Sequence, residues 1–85
     1  MKELRYRIAD ESGLHARPAG QLVQTMMPFQ CGVRIGAAGK MVDAKRIVSV
    51  MGLGVRQGEE LLMDFDGPDE EEAFCAAETF LRRNL

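Results

Sequence analysis

His15 and Arg17 are the two side chains whose types and spacing most clearly suggest chemistry. His15 is the only histidine, and Pro18 follows at a place that suits the first turn of a helix, where a missing N–H costs nothing. With Gly13 allowing a sharp turn ahead, His15 is expected at or beside the N-cap. Unpaired backbone N–H groups and the helix dipole attract an anion there, and Arg17 adds a guanidinium fork.

An imidazole at such a place could accept a phosphoryl group. Its unperturbed pKa of about 6.5 leaves a nucleophilic nitrogen near neutral pH. Phosphoryl transfer needs mainly positioning and electrostatic stabilisation, which a helix start and an arginine supply. Other interpretations stay open: a capping or solvated histidine (the commonest case), a non-covalent anion site with Arg17, or a nucleophilic triad with distant partners. We expect no metal or cofactor, since Cys31 and Cys75 lack ligand spacing.

Length and charge narrow the class of protein. Eighty-five residues with 46% hydrophobic and 28% charged side chains predict one ordinary globular domain, 1–85. No apolar run is long enough to span a membrane, and two free cysteines fit a cytoplasmic protein.

Charge is unevenly distributed along the chain. Residues 1–57 carry nine basic and four acidic side chains, whereas residues 58–85 carry two basic and nine acidic ones. Nucleic acid is a poor candidate partner for this acidic, aromatic-poor chain. A basic rim that steers acidic partners is expected at Arg17, Lys40, Lys45 and Arg46.

Hydrophobic periodicity predicts the elements that must position His15. Alternating apolar residues indicate strands near 3–8, 31–36, 40–43 and 61–66, the middle two joined as a hairpin. Helical spacing indicates helices over about 16–27 and 44–52, and a last helix opened by Pro68. The buried stripes of the first and last helices are expected to be Ala19, Leu22, Val23 and Met26, and Ala73, Phe74, Ala77, Phe80 and Leu81.

The order β-α-β-β-α-β-α is that of an α+β domain. Strands that alternate apolar with polar residues fit an antiparallel sheet with one wet face and helices on the other. The short second helix is unusual, because Ile47, Val48, Val50 and Met51 cannot all face one core. Packing in the core is the commoner explanation of such residues. The alternative is that some of them form an exposed patch on which a partner docks.

The stretch 13–19 resembles the active-site motif of the HPr family, the histidine-containing phosphocarriers of the bacterial phosphoenolpyruvate-dependent sugar phosphotransferase system. Residues 39–45 and 47–54 resemble the family's third strand and its second helix with the following turn, so the likeness covers nearly the whole chain. It implies an open-faced β-sandwich, with a four-stranded antiparallel sheet in the order 1-4-2-3 and three helices on one face.

The resemblance also implies a role for each site residue. His15 would be phosphorylated on Nδ1 by phospho-enzyme I and would pass the group to an enzyme IIA. Arg17 and the first helical amides, including that of Ala16, would hold the phosphate. The chain would act as a monomeric covalent intermediate more than as a free-standing enzyme. Both partners would dock on an apolar patch and its surroundings: Gly20, Gln24, Lys45, Arg46, Ile47, Val48 and Met51.

Two departures from the family pattern matter. In some relatives a regulatory serine follows the lysine matched by Lys45, but Arg46 stands here, so that switch is expected to be missing. Ser49 lies nearby and is a weak substitute. Gln24 and Met27 replace basic residues of many relatives, so docking should rely less on charge.

Two alternatives to a sugar-transport carrier remain. One is a regulatory relative that signals through His15 phosphorylation to a transcription regulator or an enzyme. The other is a purely structural domain.

Overall fold

The computed structural model describes residues 1–85 as four strands and three helices. In chain order they are β1 (Lys2–Arg7), α1 (Ala16–Met26), β2 (Gly32–Ala37), β3 (Lys40–Asp43), α2 (Ile47–Met51), β4 (Glu60–Asp66) and α3 (Glu70–Asn84). All strand pairs are antiparallel, and the sheet order is β1-β4-β2-β3. The α+β fold, its element order and its strand order are confirmed.

One face of the sheet carries the core and the other is open. On the core face Leu4 pairs with Met63, and Val33 pairs with Phe65 across the adjoining strands. On the open face Arg34 lies directly opposite Asp64, and its guanidinium donates two hydrogen bonds of 3.0 and 2.6 Å to the Asp64 carboxylate. The three helices cover the core face, as expected.

The buried stripe of α1 is confirmed, because Ala19, Leu22, Val23 and Met26 are all buried. In α3 only Ala73, Ala77 and Leu81 are fully buried, whereas Phe74 and Phe80 pack partly buried against the core. Phe74 and Phe80 lie on either side of the stripe that Ala73, Ala77 and Leu81 form, so each ring meets the core only along one side.

Two helix starts differ from the sequence-based prediction. α2 begins at Ile47 because the backbone of Arg46, its N-cap residue, is extended (φ −119°, ψ 110°) and so interrupts the predicted helix. The amides before it bond elsewhere, that of Ala44 to the carbonyl of Val33 and that of Lys45 to the Asp43 carboxylate. α3 begins at Glu70, two residues after Pro68.

The two cysteines are free, as expected, and Cys31 is buried whereas Cys75 is exposed. No helix is long and apolar enough to cross a membrane.

Candidate functional site

His15 occupies the N-cap position of α1 with an open side chain. Its backbone is extended (φ −94°, ψ −175°), and its carbonyl accepts the amide of Ala19 at 2.9 Å, the first bond of the helix. The imidazole makes no capping hydrogen bond, and the side chain is 46% exposed. Both ring nitrogens are therefore available for chemistry with a partner molecule.

The loop that presents His15 is clamped on both sides. Ahead of the ring, the amide of the buried Leu14 donates to the carbonyl of Val55 at 2.9 Å. Gly13 has φ +66°, and a Cβ there would lie 2.4 Å from the same Val55 oxygen, so only glycine fits. After His15 in the chain, Pro18 and Ala19 of the first turn of α1 are buried. The backbone on both sides of the exposed imidazole is thus fixed.

The amides that follow His15 form a small cradle for an anion. The N–H groups of Ala16 and Arg17 donate no hydrogen bond within the protein, and Pro18 has none to offer. The guanidinium of Arg17 is exposed and forms no ion pair. The helix start thus offers two free amides and the positive end of the α1 dipole next to His15 in the chain. The unpaired guanidinium of Arg17 follows two residues on, and each of these groups stabilises added negative charge.

Asp10 is the site residue that sequence reasoning missed. Its Oδ2 lies 4.0 Å from Nε2 of His15 and accepts the amide of Ser12 at 3.0 Å. The short turn formed by Asp10 and Ser12 is recognisable from the residue types. The turn pattern does not reveal that the carboxylate faces the imidazole.

An exposed apolar patch lies on α2. Val48 is 81% exposed, Met51 46% and Ile47 38%, whereas Val50 is completely buried and holds the helix on the core. The Cδ1 of Ile47 lies 3.8 Å from where a Cβ of Gly20 would stand, so α2 packs on α1 through these two residues. Gln24, one turn further along α1, is exposed. Ile47, Val48 and Met51 together form the exposed apolar patch of α2.

The basic residues beside this patch differ in their surroundings. The ammonium of Lys45 is turned inward and donates to the carbonyls of Phe29 (2.5 Å) and Cys31 (2.9 Å). Arg46 is exposed, with only a loose 3.9 Å contact to Asp43. Lys40 is exposed at the start of β3. The charge of Lys45 therefore satisfies the loop between α1 and β2, and Arg46 presents its charge to solvent.

The same loop is held from the other side by Asp69. Its carboxylate accepts the amides of Gln30 (2.8 Å) and Cys31 (2.9 Å), and these bonds lower the pKa of Asp69. Burial, followed by the contact with Asp69, raises the pKa of the Cys31 thiol, which makes it a poor nucleophile. Two oppositely charged side chains thus hold the loop that leads from α1 into the sheet.

Comparison with known proteins gives matches along the whole chain. Residues 2–83 match the family model described as PTS HPr component phosphorylation site. The chain is 38% identical over 81 residues to the phosphocarrier protein HPr of Lysinibacillus sphaericus, which covers 95% of this chain and 92% of that protein.

Solved structures show the same fold. HPr-C-His from Thermoanaerobacter tengcongensis has a TM-score of 0.91 and 40% identity, covering 96% of this chain and 92% of that one. Crh, a catabolite repression protein of Bacillus subtilis whose crystal structure is described as a dimer with a swapping domain, has a TM-score of 0.77 and 32% identity. That match covers 100% of this chain and 98% of Crh.

Proposed function

Because this chain belongs to the HPr family of phosphotransferase-system phosphocarriers, we propose that His15 takes a phosphoryl group from phospho-enzyme I and passes it to a sugar-specific enzyme IIA. One observation carries the proposal: an exposed imidazole makes no capping bond at a helix start where the amides of Ala16 and Arg17 are unpaired. A capping histidine would use its ring on those amides, and this one leaves them free.

The transfer needs no cofactor. The lone pair of Nδ1 attacks phosphorus, a new N–P bond forms, and the bond to the donor breaks with its electron pair staying on the donor. The phosphoryl group brings roughly two negative charges to the helix start. The amides of Ala16 and Arg17, the helix dipole and the Arg17 guanidinium stabilise that charge without forming a covalent bond, so the group can leave again.

The patch on α2 supports docking of both partners. Ile47, Val48 and Met51 expose apolar surface together on one short helix, and a contiguous apolar patch is typical of an interaction site. Gly20, Gln24 and Arg46 border the patch, and a shared docking surface means that enzyme I must leave before enzyme IIA binds. Methionine adapts its shape easily, which suits a surface that meets two different proteins.

We propose that this protein is not regulated by serine phosphorylation. Arg46 occupies the position of the regulatory serine of some relatives, and its side chain is exposed, so no hydroxyl is offered there. Ser49 is only partly exposed, and we expect a serine kinase to leave the protein unmodified. Phosphate detected on Ser49 by mass spectrometry would overturn this part.

A second candidate function is regulatory signalling through the same phosphohistidine. The match to Crh over the whole chain favours it, since the name of that protein describes catabolite repression. We also propose that the carrier works in the cytoplasm as a monomer, which gel filtration at micromolar concentration would test against a swapped dimer.

The decisive experiment is phosphoryl transfer with purified partners. Incubation with enzyme I and labelled phosphoenolpyruvate should give one acid-labile phosphate, and His15→Ala should give none. Ser49→Ala is the matched control and should label fully. Label that persists in His15→Ala would refute the site. Label on His15 that no enzyme IIA of the host accepts would favour the regulatory function.

A further inference from the structure

Asp10 and His15 form a pair that the phosphoryl cradle does not use. The Oδ2 of Asp10 lies 4.0 Å from Nε2 of His15, and no other carboxylate lies as close to the ring. We propose that Asp10 is a positioning residue that keeps the proton of His15 on Nε2, so that the lone pair of Nδ1 faces the incoming phosphorus. This role rests on the proposed phosphocarrier function.

The carboxylate of Asp10 is held in place by its own turn. The Asp10 amide donates to the carbonyl of Leu85 at 3.0 Å, and the Asp10 carbonyl accepts the amide of Gly13 at 3.0 Å. Its Oδ2 accepts the amide of Ser12 at 3.0 Å. Main chain and side chain are therefore both fixed. An ionised carboxylate has about four acceptor sites, of which this single bond uses one, so further acceptor sites remain for the imidazole.

The remaining gap closes by a side-chain movement alone. A distance of 4.0 Å is too long for a hydrogen bond, but shortening it by about 1 Å reaches the range of charge-assisted bonds. Because the His15 side chain is 46% exposed and makes no capping bond, its ring can turn without moving the backbone. Hydrogen bonds at catalytic groups are commonly long before the partner arrives and tighten in the complex.

The single proton of the neutral His15 ring explains why the place of Asp10 beside Nε2 matters. A neutral imidazole has one N–H and one lone pair, and a carboxylate beside Nε2 attracts the N–H to that nitrogen. When Nδ1 attacks phosphorus, the N–P bond forms and the ring keeps its Nε2 proton. The donor keeps the electron pair of the bond that breaks.

The ring of the product then carries a positive charge, which Asp10 stabilises. When the acceptor takes the phosphoryl group, the electron pair of the N–P bond returns to Nδ1. The ring leaves as a neutral imidazole with its proton still on Nε2.

Asp10 and Arg17 divide the two charges of this state. The negative phosphoryl group on Nδ1 faces the amides of Ala16 and Arg17, whereas the positive edge of the ring faces Asp10. A carboxylate on the phosphoryl side would repel the group, so its place beside Nε2 is the favourable one.

The test compares Asp10→Asn with Glu11→Gln, which removes the same charge from the neighbouring exposed residue. Nitrogen-15 NMR of the neutral His15 ring in unphosphorylated protein gives the ratio of the Nε2–H form to the Nδ1–H form. We expect this ratio to fall about threefold in Asp10→Asn, the scale of a half-exposed charge pair, and to stay unchanged in Glu11→Gln. Asp10→Ser, whose hydroxyl can still bond the Ser12 amide, should behave like Asp10→Asn.

A second measurement uses potassium phosphoramidate as a chemical donor that needs no protein partner. Wild type and Glu11→Gln should be phosphorylated on Nδ1, and Asp10→Asn should give a larger share of the Nε2 product. An unchanged tautomer ratio in both Asp10 variants would overturn the role of Asp10. A shifted ratio together with no transfer from enzyme I to wild type would instead show that Asp10 places the proton of His15 but that the proposed function is wrong.

Discussion

The Cδ1 of Ile47 lies 3.8 Å from the position that a Cβ on Gly20 would occupy, an ordinary van der Waals distance. This contact seats α2 on α1, and it involves a side chain that is itself 38% exposed in the patch. One residue thus both anchors the short helix and forms part of the exposed patch. The size of the side chain at position 20 should therefore control the presentation of the patch.

Gly20→Ala should stabilise the protein by up to about 1 kcal/mol, because glycine is a poor residue in a helix interior and a methyl group fits here. Its affinity for enzyme I should be unchanged. Gly20→Leu is too large for the space and should push Ile47 away, which weakens docking. Urea unfolding and a binding titration measure the two effects. Wild-type affinity in Gly20→Leu would show that α2 is not positioned through this contact.

Lys45 and Arg46 are adjacent, carry the same charge and should respond differently to loss of it. Lys45→Met leaves two carbonyls of the loop between α1 and β2 without their ammonium donor, and should cost about 1–3 kcal/mol in free energy of unfolding. Arg46→Met should change that free energy by less than about 0.5 kcal/mol, since its only charge contact is loose and exposed. Urea unfolding of both variants checks this, and equal losses would contradict it.

For binding to enzyme I we expect the reverse order: loss of the Arg46 charge should matter more than loss of the Lys45 charge. The exposed charge of Arg46 can attract an acidic partner, so Arg46→Met should weaken enzyme I binding at low salt, with a smaller difference at high salt. Arg83→Met, an exposed charge at the end of α3, is the matched control and should bind normally.

Acid should weaken this protein partly through Asp69. The amides of Gln30 and Cys31 hold its pKa below the usual value, so the folded state prefers the charged carboxylate. The resulting stability is fully present above the unfolded pKa of about 3.9 and is lost as the pH falls through the lower folded pKa. Glu70, whose pKa is lowered by the Gly67 amide and then by the N-terminus, acts in the same direction.

Asp69→Asn should therefore have a flatter decline of melting temperature between pH 5 and pH 2 than the wild type. Glu72→Gln removes an exposed carboxylate from the same helix turn without a bond to lose, and should keep the steep wild-type decline. The same slope in all three proteins would mean that the Asp69 bonds do not contribute to acid stability.

The features that could be predicted from sequence are those set by local pattern. The apolar stripe of α1 and the alternation in β2 each report one buried face, and Pro18 and Pro28 bracket the helix. Local pattern does not give the strand order, because pairing β1 with β4 depends on contacts some sixty residues apart along the chain. It came from the family resemblance.

The features that sequence missed depend on where side chains meet in space. Ala44 and Lys45 have helical propensity, but the extended backbone of Arg46 separates them from the helix, so α2 starts at Ile47. A lysine beside an arginine suggests one basic surface, and only the fold shows that one ammonium is bound inside. The approach of Asp10 to His15 likewise depends on how the turn folds.

Two glycines, Gly13 and Gly54, allow backbone strain to be distinguished from the positioning of the His15 loop. Gly13 and Gly54 have nearly the same positive φ, +66° and +63°, but their surroundings differ. A Cβ on Gly54 meets nothing within 4 Å, so Gly54→Ala should cost only the left-handed backbone penalty of about 1–2 kcal/mol. A Cβ on Gly13 would meet the backbone oxygen of Val55 at 2.4 Å and must displace it.

Gly13→Ala should therefore be less stable than Gly54→Ala, and should also break the Leu14–Val55 hydrogen bond that fixes the backbone ahead of His15. The rate of phosphoryl transfer from enzyme I should fall about tenfold or more in folded Gly13→Ala, because catalysis by positioning is sensitive to shifts of about 1 Å. Gly54→Ala should transfer at the wild-type rate. Rapid-quench kinetics at a temperature where both variants are folded makes the comparison, and equal rates would show that the Val55 clamp serves stability alone.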